Sequence, residues 1–218
     1  MEYAATLAPS SLLQRVFAWM FAGLLVTAGA AAAIGSSDAL LTDITANPVL
    51  LIVLFVAQLG LVFAIAARAD RMSPALATGL FLLYSATNGV IFALVFELYT
   101  SQSIFTAFAV TAGMFGAMAL YGYVTKTDLS KLGSILFMAL IGLILATVVN
   151  IFWANEALYW ITTYAGVAIF AGLTAYDVQK IKQYEGGQGD AIRGALSLYL
   201  DFINMFLFLL RIFGQSRG

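Results

Sequence analysis

The chain contains neither cysteine nor histidine. Without cysteine there is no disulfide, no iron–sulfur cluster and no thiolate metal site. Without histidine there is no Ser-His-Asp triad, no Ser-His dyad, no HExxH zinc site and no His-ligated haem. The side chain that ordinarily titrates near neutrality is missing too, so proton sensing there falls to carboxylates in unusual surroundings. Charge is scarce: 10 Lys+Arg and 11 Asp+Glu, a formal net charge of −1 over 218 residues. No basic cluster stands ready for nucleic acid, which is not expected as a partner. No G-x-x-x-x-G-K-[ST] loop is present, which argues against ATP-driven pumping.

What fills the chain is apolar. Hydrophobic residues make up 62% and charged ones 10%, against about 25% charged in a soluble domain. Seven apolar runs appear, at 16–34, 49–67, 75–96, 104–125, 132–155, 157–176 and 194–210. A membrane helix needs about 20 such residues, so each can cross a bilayer. The first is longer than the apolar core of a secretory signal, about 7–15 residues, and is taken as a span. The expected architecture is an all-α polytopic membrane protein with seven transmembrane helices in a single domain, 1–218, whose first partner is the lipid bilayer.

The breaks between runs alternate in charge. Arg15, Arg68, Arg71, Lys126, Lys131, Lys180, Lys182 and Arg193 fall on one set of connections, while 35–48, 97–103 and the region of Glu156 have no Lys or Arg. The positive-inside rule then makes the N-terminus and the basic connections cytoplasmic. Arg211 and Arg217, beyond a seventh crossing, run against that rule, and a re-entrant last segment is the alternative to a full crossing. The stretch 179–193, with Gly186, Gly187 and Gly189, reads as a flexible cytoplasmic loop. Small residues four apart, Ala112/Gly116 and Ala168/Gly172, suit close helix packing. Trp153, Tyr159 and Trp160 suit the membrane interface.

Most acids sit in polar breaks, where water accounts for them. Glu97 ends the third run and is either a solvated cap or an ion contact at a pore mouth. Asp201 differs, because it lies inside an apolar run, where a charge is costly and marks function by default. It is about 12 Å beyond Arg193 along a helix, and Asp177 about 7.5 Å before Lys182. The two helices are antiparallel and joined on the cytoplasmic side, so the carboxylates lie at similar depth and can meet. Two carboxylates away from water cannot both ionise cheaply, so such a pair shares a proton. Two separate acids, each with its own basic or aqueous partner, is the plainer reading. Asn204, three residues on, shares the face of Asp201 and is the best candidate for a further oxygen ligand. Arg68 directly follows the second run and can reach back along it; Arg71 lies one turn further out. Gln58, Asn88 and Asn150 are expected to bond neighbouring helices.

Three motifs give the chain a likeness. Residues 111–122 read TAGMFGAMALYG, 172–177 read GLTAYD, and 197–204 read SLYLDFIN ahead of LRIFG at 210–214. With these the chain resembles the bacterial branch of the Bax inhibitor family, the transmembrane Bax-inhibitor-motif proteins, from Arg15 through Gly214. The resemblance implies six helices around a central C-terminal one in a bacterial inner membrane. It also implies a pH-sensitive calcium leak gated by paired aspartates, here Asp177 and Asp201, with an arginine of the second helix latched to the first of them. Arg68 is taken for that latch over Arg71. Calcium and protons are then the cargo and signal, calcium contacts at Asp177 and Asp201 are weak and transient, and a monomer without cofactor is expected.

Three alternatives stand beside the leak. A calcium–proton exchanger would use the same shared proton. A non-transporting regulator would bind other membrane proteins, such as a protease. An intramembrane aspartyl protease would want a Tyr-Asp pair, present as Tyr176-Asp177, and a Gly-x-Gly-Asp motif. Leu198-Tyr199-Leu200-Asp201 has neither glycine, so an enzyme is not expected.

Overall fold

A computed structural model of the chain describes residues 9–215, and those residues are helical throughout apart from short connections. Seven long helices are α1 (Pro9–Gly35), α3 (Pro48–Arg68), α4 (Pro74–Leu98), α5 (Ser101–Val124), α6 (Ser130–Trp153), α7 (Glu156–Ile181) and α8 (Gln188–Phe213). A short α2 (Asp38–Thr45) stands between α1 and α3, and a 3-10 turn, Ala69–Arg71, follows α3. All seven long helices are apolar enough to cross a membrane. Arg217 and the extreme N-terminus, which bear on the sidedness argument, lie outside the described residues.

Local chemistry explains where the helices start and stop. The chain has 3 prolines, and each opens a helix, Pro9 in α1, Pro48 in α3 and Pro74 in α4. At that position the missing N–H costs nothing. Asn47 and Ser73 cap α3 and α4 by accepting from the amides of Leu50 and Leu76. The apolar run to 155 is cut short at Trp153, because Ala154 turns left-handed at φ 42°. Asn150 Oδ1 then accepts from Asn155 N at 2.8 Å. Asn150 thus closes its own helix instead of bonding a neighbour, and Asn88 likewise donates back to Tyr84 O. Gln58 Nε2 is buried with no hydrogen-bond partner among the described residues.

The elements depart from the expected runs in two places. The break at 35–48 holds α2, whose amide at Leu40 is capped by Ser37 and whose first turn carries Asp38. The supposed loop 179–193 is mostly helix, since α7 runs to Ile181 and α8 starts at Gln188.

Contacts group into two compact units, residues 9–100 with 181–199, and Ser101–Lys180 with Leu200–Gln215. In the first, α1 packs along α4, which also meets α3. A Cβ on Gly89 would stand 2.7 Å from Thr27 O, so only glycine allows the two backbones this close. Thr27 Oγ1 lies 2.9 Å from Ser85 O and 2.5 Å from the hydroxyl of Tyr199. Tyr199 is wholly buried, with Phe81 and Tyr84 edge-on at 5.7 and 5.8 Å.

In the second unit a Cβ on Gly122 would strike the carbonyl of Ala175, which fixes a tight α5–α7 contact. Phe202 of α8 meets Phe108 and Phe115 of α5 at 5.6 and 5.4 Å. Of the expected small-residue pairs, Gly172 lies against Leu136, while Gly116 has open space beside it.

Burial runs opposite to hydropathy. The most apolar helices, α3 and α6 (mean hydropathy 2.9 and 2.7), are 11% and 6% buried, whereas α8 at 1.7 is 56% buried. Lipid is the solvent for the apolar faces, and the polar side chains are gathered inside.

Candidate functional site

Helices α7 and α8 run antiparallel in the second unit, and aromatic packing sets their register. The ring of Phe170 stacks on that of Phe208 with centroids 6.1 Å apart, and Gly166 makes room for Phe208. Seven residues on from Phe170 is Asp177, and seven back from Phe208 is Asp201. Seven residues are close to two helical turns, so both carboxylates keep the facing side, about 10.5 Å beyond the rings.

The same register brings Asp177 and Asp201 to one level of the two helices. Asp201 is 4% exposed, and its Oδ2 has no hydrogen-bond partner among the described residues. Asp177 is half-buried. A buried carboxylate oxygen without a donor is expensive when ionised. The next side chain, Phe202, packs on the rings of Phe108 and Phe115. Asn204 is half-buried, and its amide donates to Leu200 O at 2.8 Å. That bond uses a donor of the amide and not its oxygen.

The other expected residues have these places. Arg68 is the last residue of α3 and Arg71 the last of the 3-10 turn, both exposed. Glu97 is exposed near the end of α4 and lines a pocket of about 570 Å³ with Asp38, Thr42 and Thr45 of α2. Asp38 falls in a polar break of the sequence, and α2 brings it to the same pocket. No cluster of three or more acidic side chains able to hold a metal occurs among the described residues.

One further network joins residues that no sequence pattern links. Gly186 accepts from Arg15 Nη1 at 3.2 Å and donates its amide to Asp190 Oδ2 at 3.1 Å. Gln188 accepts from Arg15 Nη2 and donates to Thr78 Oγ1 at 3.3 Å. Asp190 also pairs with Arg193, whose guanidinium lies 4.5 Å from the ring centre of Tyr184. Gly186 makes the turn at φ 98°, a conformation glycine adopts without strain. The connection between the two aspartate-bearing helices is therefore strapped to α1 and α4. Its clearest sequence signal is the glycine cluster itself, which reads equally well as a loose loop.

Residues 9–218 match the family described as "Inhibitor of apoptosis-promoting Bax1". The chain belongs to the Bax inhibitor family. Among its relatives, the inner membrane protein YbhL of Escherichia coli strain K12 is 50% identical over 215 residues, covering 94% of this chain and 92% of that protein. An uncharacterized protein of Borreliella burgdorferi is 42% identical, covering 100% and 97%. An uncharacterized membrane protein of Streptococcus pyogenes serotype M1 is 41% identical over 165 residues, 73% and 72% of the two chains. The relatives from Escherichia coli and Streptococcus pyogenes are named as membrane proteins, in keeping with seven apolar helices. The motifs GLTAYD and SLYLDFIN, which carry Asp177 and Asp201, lie within the matched residues.

Proposed function

We propose that this member of the Bax inhibitor family is a calcium-permeable leak pathway whose opening follows the protonation of the Asp177–Asp201 pair. The observation that carries the reading is the buried, donorless Oδ2 of Asp201, at the level of α8 that the Phe170–Phe208 register sets opposite Asp177. Calcium takes about six to eight oxygens. Two carboxylates, the oxygen of Asn204 and a few carbonyls or waters form an incomplete cage, which lets an ion pass where a full one would hold it. Protonation of the pair removes the charge that attracts the ion and also loosens any contact that charge makes with a basic group.

The reading sets the protein in a bacterial inner membrane as a monomer, with the N-terminus and the 182–187 connection cytoplasmic, since eight of the ten basic residues fall on that side. Glu97 and Asp38, which share a pocket, would attract cations. The buried Leu198, where a protease of the Gly-x-Gly-Asp kind would have glycine, supports transport over proteolysis.

The test is calcium flux into proteoliposomes across pH, with and without an imposed proton gradient. A leak gives flux that depends on pH but needs no gradient. Flux that follows the gradient points to calcium–proton exchange. No flux at any pH removes the transport reading and leaves regulation of other membrane proteins.

A further inference from the structure

Arg211 occupies the last turn of α8, at the end of the helices where no other described residue is basic. Eight basic residues mark the other end, so this one needs a physical account. Its guanidinium lies 5.1 Å from the ring centre of Phe208 and 5.6 Å from that of Tyr159. Tyr159 meets Trp160 edge-on at 5.4 Å, and Trp160 stacks on Tyr164 at 5.9 Å. Beyond α8 the chain is pinned where Gln215 N donates to Ser103 Oγ at 2.9 Å, so this end is held in place.

Ring faces attract a guanidinium but offer it no acceptor. Arginine has five N–H donors, and those of Arg211 have no hydrogen-bond or carboxylate partner among the described residues. The helix dipole favours a positive charge at this end without satisfying those donors. Tyrosine and tryptophan settle at the level of lipid headgroups, where the acceptors on offer are phosphate oxygens. A guanidinium binds a phosphate in bidentate fashion.

We propose that Arg211, framed by Tyr159, Trp160 and Phe208, binds the phosphate of an anionic phospholipid headgroup in the leaflet at the C-terminal end of α8. The inference stands independently of calcium transport.

Trp160 provides a local reporter. The chain has 3 tryptophans, and Trp19→Phe with Trp153→Phe leaves only this one. The protein is placed in phosphatidylcholine bilayers containing rising fractions of dibrominated phosphatidylglycerol or of dibrominated phosphatidylcholine, and quenching of Trp160 is read. A basic group near an anionic surface is worth about 1 kcal/mol, so the anionic lipid should associate about fivefold more strongly. Arg211→Gln should bring that preference to one with the Trp160 emission maximum unchanged. Should the glutamine variant unfold, Arg211→Met, which keeps an unbranched apolar stem, takes its place with the same expectation. Inorganic phosphate at matched ionic strength should leave the preference in place. Equal quenching by both lipids, an undiminished preference in the variants, or displacement by inorganic phosphate would each overturn the assignment.

Discussion

Arg15 of α1 donates to the carbonyl of Gly186, 171 residues away, at 3.2 Å. A second nitrogen of the same guanidinium reaches Gln188. One side chain thus ties the turn between α7 and α8 to the first helix. Arg15→Ala should release the turn, and hydrogen exchange at 184–188 should quicken about tenfold, the equivalent of about 1.4 kcal/mol for the two lost bonds. Exchange within α5 and α6 should stay the same. Unaltered protection at 184–188 would mean that Asp190 and Thr78 hold the turn without Arg15.

Thr27 and Tyr199 supply a test in which removing either partner is not equivalent. Tyr199→Phe deletes a hydroxyl and leaves Thr27 with nearby carbonyls of Gly23 and Ser85 to donate to, so the loss should be about 1 kcal/mol. Thr27→Val leaves the Tyr199 hydroxyl, edged by Phe81 and Tyr84, with only the Ser85 side chain to turn to, and should cost about 1–3 kcal/mol. The double variant should be more stable than Thr27→Val alone, since no polar group is then left unsatisfied. Unfolding in detergent supplies all three values. Strict additivity would show that the two hydroxyls do not depend on each other.

Two glycines of α5 should respond in opposite ways. Gly122→Ala drives a Cβ into the backbone of Ala175, and backbone cannot yield as a side-chain tip can, so a loss of about 1–3 kcal/mol or more is expected. At Gly116 nothing lies within 4 Å, so Gly116→Ala should be neutral or stabilise by up to about 1 kcal/mol through helix propensity. Thermal unfolding of the two single variants decides it. If Gly116→Ala is the worse of the two, the face of α5 that meets α7 is wrongly assigned.

These cases mark how far the sequence could be read. Seven spans were legible because a bilayer demands about 20 apolar residues in a row and the chain provides them with few charges. Asp201 stood out for the same reason, as the one acid within such a run. Span ends were less legible: Gln179, Lys180 and the stretch 188–193 are polar, yet they remain helical where a helix continues past the hydrocarbon. The short α2 left no long apolar run to notice, though Ser37 and Asp38 are fitting residues for a helix start. Glycine spacing identified candidates for close packing without the helix rotation that makes Gly122 a contact and leaves Gly116 open. The Arg15 strap depends on partners far apart in sequence, which no local pattern encodes.

The family resemblance gives Arg68 a part in gating, and its neighbour Arg71 serves as the control. Both are exposed, one closing α3 and the other closing the 3-10 turn that follows it. Arg68→Ala should alter calcium leak at neutral pH and weaken its dependence on pH, while Arg71→Ala should leave both near native. Proteoliposome flux at several pH values separates the two. An effect at Arg71 alone would shift the gating residue by one turn, and an effect at neither would leave gating to the aspartates.

The aspartate pair makes the sharpest demand on the proposed function. The register set by Phe170 and Phe208 brings Asp177 opposite Asp201, and on the proposed reading the two carboxylates act as a pair. Asp177→Asn and Asp201→Asn should each leave a single titrating group, so the flux profile between about pH 5 and 8 should flatten or move. The double variant should lose that pH dependence, since no histidine is present to replace it. The sizes of the two single effects should differ. Asp201 has an oxygen buried without a donor, whereas Asp177 is only half-buried, so Asp201→Asn relieves the greater desolvation and should change the profile more. Folding is checked by unfolding temperature, which asparagine, near in shape to a protonated aspartate, should largely preserve. Native-like pH profiles in both single variants would remove the pair from gating, whatever calcium the protein conducts.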